Sequence, residues 1–275
     1  MFCVTIRNTF KTLFRSWTFW LAILVYAGLA VREGLIDYVI YAPGYEPKVL
    51  AYATYVQGIG HRMSNLLLLA LPFFVVVVTA LVLNRDYGDQ FFEIEKAADV
   101  KPSRYLLGRL CAVVVVSFVA QWVFSILSIA LYASRLGGVY EVTPAQFFAD
   151  CALRLLRLCS FAALPLILVF AGLTYLFGAI FHSGVVAAVG GLGLTVGNFV
   201  FTFLYQYRAF ATYFDYFSPV PKKLLRYVVF YNVPEQSMQR MGATLGTALF
   251  CAAWLIGVFA VCGIGAYCLV RRRET

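Results

Sequence analysis

His182–Ser183 is the one place in this chain where an imidazole and a hydroxyl are neighbours in sequence, and Glu93 and Glu95 form a close carboxylate pair. A serine–histidine dyad needs its serine in a strained, donor-rich turn beside the base. The glycine pattern of known membrane serine proteases does not flank Ser183, so His182 reads as a cap or lining of a turn. The carboxylate pair lies outside every apolar run, away from any enclosed site. No HExxH pattern occurs to hold a catalytic metal, and no GxxxxGK[ST] loop occurs to cradle a nucleotide phosphate. The seven cysteines, at 3, 111, 151, 159, 251, 262 and 268, form no CxxC pair. Most lie in or beside apolar runs and read as small buried hydrophobes. Cys151 alone touches an external edge, so no external disulfide is expected. The chain is expected to be no enzyme, with no cofactor or metal of its own.

The densest polar chemistry is the segment RDYGDQFFEIEKAADVKPSRYLLGRL, Arg85 to Leu110. It carries five acids (Asp86, Asp89, Glu93, Glu95, Asp99) and five bases (Arg85, Lys96, Lys101, Arg104, Arg109), with Phe91–Phe92 among them. Mixed charge around an aromatic pair suits a short amphipathic surface helix that docks on a protein partner. Pro102 breaks the segment before the next apolar run. The plainer alternative is a solvated charged loop.

The elements that must position this segment are apolar. Of 275 residues, 62% are hydrophobic and 13% charged, with a mean hydropathy of +0.82. Soluble domains sit near ~45–50% apolar and ~25% charged. Spanning a hydrocarbon core takes roughly 20 helical residues, and six runs are candidate spans, the first of them the shortest. They are Trp17 to Val31 (with a possible extension to Tyr41), Ser64 to Leu83, Tyr105 to Ser134, Leu158 to Phe181, Gly184 to Tyr205 and Ala243 to Val270. Backbone groups in lipid must pair within their own segment, so helices are expected, even across Pro72 and Pro165. The fold class is all-α: a polytopic membrane protein with six transmembrane helices. His182–Ser183 forces a tight hairpin between the fourth and fifth.

Ahead of them, residues 1–16 alternate an apolar stripe (Phe2, Ile6, Phe10, Leu13, Trp17) with a basic one (Arg7, Lys11, Arg15). This is the pattern of an interfacial amphipathic helix; a signal-peptide n-region is the alternative. The domain division is therefore 1–16 as that helix and 17–275 as one transmembrane domain. The net charge of +9 gathers at the ends of apolar runs, which favours anionic lipids over nucleic acid as counter-charge. Basic residues divide equally between the two sides. Their density in segments 1–16, 84–109, 182–183 and 271–275 favours cytoplasmic N- and C-termini.

The order Arg85-Asp86-x-Gly88, then Glu93 with apolar neighbours, then Pro102-Ser-Arg-Tyr-Leu-Leu-Gly-Arg109, resembles the first cytoplasmic loop of bacterial permeases of type-two ATP-binding-cassette (ABC) exporters. The amphipathic start, the short turn at Gly178 to Gly184, the external Ser218–Pro219 and the basic C-terminal tip resemble that family's layout. His182 departs from it, standing where the family usually has a basic residue. The resemblance implies that residues 84–104 are a cytoplasmic coupling loop whose coupling helix docks on a separate ABC ATPase subunit. Its coupling residues would be Arg85, Asp86, Gly88, Phe91, Phe92, Glu93, Glu95, Lys96, Pro102 and Arg104. It implies a permease dimer, homo- or heteromeric, in the bacterial cell membrane, with ATP and Mg on the ATPase. It also implies an external loop over 206–242.

Phe199, Phe203, Tyr207, Phe210 and Phe214 follow one another near the end of the fifth run. They read either as an outer aromatic belt or as the lining of an outward exit path. Ion coupling usually places titratable groups inside the spans, and the middles of these runs carry almost none. A non-transporting assembly or immunity factor is the alternative function, and an intramembrane enzyme a more distant one.

Overall fold

The computed structural model describes residues 2–35, 58–60, 62–88, 102–136, 156–206 and 245–271, with single positions at 145 and 152. Every element among them is helical. An N-terminal helix α1 (Phe2–Arg15) meets α2 (Trp17–Leu35) at Ser16. Next come α3 (Leu71–Gly88) and α4 (Pro102–Leu136). Helices α5 (Ala163–Phe181), α6 (Gly184–Gln206) and α7 (Leu245–Arg271) complete the bundle.

Among the described residues, five stretches are long and apolar enough to cross a membrane: Trp17–Leu35, Gly58–Tyr87, Tyr105–Arg135, Leu158–Phe181 and Ala252–Arg271. They mark the chain as a multi-pass membrane protein. Gly184–Val200, inside the expected fifth span, is a shorter apolar helix. Helices α3 and α5 form the centre. Helix α5 packs most extensively on α7, and α3 packs on both α5 and α6. Helix α2 lies along α4, and α1 crosses the start of α4.

Both prolines are absorbed in the same way. A proline ring clashes with the carbonyl four residues back and offers it no N–H. For Pro72 and Pro165 those carbonyls belong to Leu68 and Phe161. Each lies within a π-helical turn, Leu66–Ala70 and Arg157–Ala162. The wider turn hands the bonding to i−5 pairs, with Leu71 N–H on the Leu66 carbonyl and Ala163 N–H on that of Leu158. Three buried threonine hydroxyls are satisfied within their own helices. Thr79, Thr174 and Thr195 each donate to the carbonyl four residues back at 2.7–2.8 Å.

The structure revises several sequence-based boundaries. Residues 84–88 are the last turn of α3 and 102–104 the first turn of α4. Thus Arg85, Asp86, Gly88, Pro102 and Arg104 sit on long helices, not on a surface loop. Helix propensity continues past the last apolar residue because Asp86 finds a buried partner. Phe91, Phe92, Glu93, Glu95 and Lys96 lie outside the described residues, as do Tyr207, Phe210 and Phe214 and nearly all of the expected external loop.

The inward face of α1 also differs from the expected apolar stripe. Its buried residues are Thr5, Thr9 and Leu13, while Trp17, just beyond its end, is 81% exposed. Arg7, Lys11 and Arg15 are exposed as expected. The cysteines are mixed: Cys159 and Cys262 are buried, whereas Cys3 and Cys268 are exposed.

Candidate functional site

Asp86 lies in the last turn of α3 and Arg109 in the first part of α4. Arg109 Nη2 donates to Asp86 Oδ1 at 2.7 Å, and both side chains are almost completely buried. One helical turn earlier, the Tyr105 hydroxyl accepts from the same nitrogen at 3.0 Å. The other terminal nitrogen, Nη1, donates to Thr9 Oγ1 at 2.8 Å, reaching across to α1. Thr9 in turn donates to the Thr5 carbonyl at 2.8 Å. A planar guanidinium has donors for all of these acceptors, which a lysine could not serve in one plane. Beside it, Arg85 Nη1 donates to Thr12 Oγ1 at 3.0 Å, a second stitch between α3 and α1.

The turn between α5 and α6 seats against the same place. His182 takes the left-handed conformation, φ 58° and ψ 31°, and its N–H donates to the Gly178 carbonyl at 2.8 Å. Its ring lies 6.2 Å from that of Tyr87. Ser183 then starts α6, its hydroxyl accepting from the Val186 N–H at 3.3 Å. Gly184 approaches the backbone and Cβ of Asn84 so closely that a side chain there would overlap them. His182 thus caps the turn, as its position suggested. Tyr175 of α5 and Ala266 and Val270 of α7 pack with Leu83 at this end. The N-terminal helix, the α3–α4 base, the α5–α6 turn and the last turn of α7 therefore share one end of the bundle.

Two further polar groups sit inside the helices. Midway along the bundle, the Tyr26 hydroxyl donates to Gln121 Oε1, and Gln121 Nε2 donates to Ser125 Oγ at 3.1 Å. Toward the far end, Glu33 is 3% exposed and accepts from Asn65 Nδ2 at 3.0 Å. Arg32 reaches the same carboxylate at 3.3 Å. Arg62 is fully buried, its guanidinium 3.5 Å from the Tyr132 ring centre. Among the described residues, no group of three or more His, Cys, Asp or Glu could hold a metal ion.

Of the sequence-derived site residues, the structure brings Arg85 and Asp86 together with each other and with α1. Gly88, Pro102 and Arg104 are placed on helix backbones only. Phe199 is half-buried against the core, and Phe203 lies on the backbone of α6. Sequence reasoning missed Thr9, Thr12, Tyr105 and the partnership of Arg109. A signal did exist: Thr5, Thr9 and Thr12 recur at helical spacing on a helix otherwise mostly basic or apolar, and a threonine stripe suits a polar neighbour better than lipid. No family model, no curated protein and no solved structure matches this chain.

Proposed function

We propose that this chain is the membrane-spanning permease subunit of an ATP-driven exporter, acting as a dimer and coupled to a separate ATPase subunit. The observation that carries the reading is the clamp at the base of the 89–101 segment. The helices on either side of it are tied to each other and to α1 by a buried ion pair. A docking element grafted on such a base can pass a push to two spanning helices as one body, whereas a floppy connector would dissipate it. Termini at one end of the bundle require an even number of crossings, which fits six. In this reading Asp86, facing inward, positions the loop instead of touching the ATPase. Contact falls to Phe91, Phe92, Glu93, Glu95 and Lys96. ATP and Mg act on the partner chain, and the permease itself is no enzyme. The membrane is that of a bacterial cell, with both termini cytoplasmic.

The test is a mild-detergent pull-down of the tagged chain from its native membrane, with and without cross-linking. Recovery of a soluble ATPase near equal stoichiometry is expected. Phe91→Ala and Glu93→Lys are expected to weaken that recovery while leaving the thermal melt of the purified chain unchanged. A preparation free of ATPase under both conditions would overturn the reading.

A further inference from the structure

Beside the ion-pair clamp, between the end of α1 and α3, lies a recess of about 370 Å³. Thr12, Leu13 and Arg15 line it from the end of α1, Ser16 from the corner that follows, and Leu81, Asn84 and Arg85 from α3. It carries two guanidinium groups and no acidic side chain among the described lining residues. The nearest described carboxylate, Asp86, is turned inward and bonded to Arg109. Arg85 is held in place by its 3.0 Å bond to Thr12, so one cationic wall is fixed before any ligand arrives.

Two exposed tryptophans follow Ser16 closely in sequence. Trp17 is 81% exposed and Trp20 48% exposed. Trp20 Nε1 donates to the Phe14 carbonyl at 2.9 Å, bracing the α1–α2 corner. Phe14, Phe19 and Trp20 pack their rings 5.4–6.1 Å apart around it. Exposed tryptophans of a membrane protein sit at the headgroup level. The basic face of α1, Arg7, Lys11 and Arg15, is exposed at the same end.

We propose that this recess binds the phosphate of an anionic phospholipid headgroup. Arg15 and Arg85 supply the charge, and Ser16 and Asn84 supply neutral donors, while Thr12, whose hydroxyl donates to the Asn8 carbonyl, holds Arg85 in place. Arginine forks match phosphate oxygens, and the recess falls within the range of ordinary ligand sites, about 300–1,000 Å³. The lipid would join α1 to the end of α3 from the bilayer side, as the ion pair joins them from within. The proposal is independent of the exporter reading, because it concerns lipid and needs no ATPase.

The experiment is native mass spectrometry of the full chain in detergent, titrated separately with phosphatidylglycerol, phosphatidylcholine and inorganic phosphate. Phosphatidylglycerol is expected to be retained in preference to phosphatidylcholine. Arg15→Gln, an exposed position that leaves packing intact, should weaken that retention about fivefold, the usual effect of one basic residue near an anionic surface. Arg85→Gln should weaken it at least as much, whereas Arg7→Gln and Lys11→Gln, outside the recess, should each have a smaller effect. Retention of both lipids alike, or equal effects of all four substitutions, would overturn the site. Uptake of inorganic phosphate at micromolar concentration that displaces phosphatidylglycerol would overturn the lipid as its source.

Discussion

Removing the carboxylate of Asp86 tests the clamp directly. Asp86→Ala deletes the 2.7 Å partner of Arg109 and leaves a guanidinium buried among Thr9 and Tyr105. Breaking a buried ion pair by removing one member costs about 3–5 kcal/mol, because the surviving charge stays out of water. At roughly 2–4 °C per kcal/mol for a chain near this size, the melting temperature should fall by at least about 6 °C. Removing both charges is different. In Asp86→Ala/Arg109→Leu no charge is left stranded, and Thr9 keeps its bond to the Thr5 carbonyl. The double variant should therefore melt above Asp86→Ala, giving a coupling energy of about 2 kcal/mol or more. The assay is the thermal transition of intrinsic tryptophan fluorescence in detergent, for which the chain has four tryptophans. Arg7→Ala, on the exposed face of α1, is the control and should shift the transition little. A melt for Asp86→Ala within about 2 °C of the parent, or strictly additive single effects, would refute the assignment of a strong buried pair.

Gly184→Ala should destabilise by about 1–3 kcal/mol in the same melt, because its Cβ would meet Asn84 backbone that has no room to yield. Gly193→Ala, with nothing within 4 Å of the added atom, should be neutral or mildly stabilising, and equal losses at both positions would count against the seated turn. Tyr26→Phe removes the hydroxyl that Gln121 accepts from, and should cost about 1 kcal/mol by the same measurement, with no loss expected if Gln121 is already changed to Leu. In the folded chain a maleimide should label Cys3 within minutes and leave Cys159 unmodified until denaturation, read as mass additions on peptides; early labelling of Cys159 would contradict its burial.

Much of this protein is written in composition and run length. Apolar stretches of about 20 residues can satisfy their backbones in lipid only as helices, so the helical segments at Trp17, Tyr105 and Leu158 were legible at once. The His182–Ser183 turn was legible as well, since two residues between apolar runs leave room for a hairpin alone. Helix ends were not, because a charged residue after an apolar run looks like the start of a loop. Asp86 and Glu33 stand at such ends, and each is drawn inside by a partner that is remote in sequence. Which stripe of α1 turns inward was not legible for a related reason. Periodicity selects the most apolar stripe, but the bundle presented a buried arginine and took the threonine stripe instead. Hydrophobic patterning is a local property and settles which segments enter the membrane. Which polar groups end up buried depends on what donors and acceptors the other helices bring to the same depth, and only the packed tertiary structure decides that.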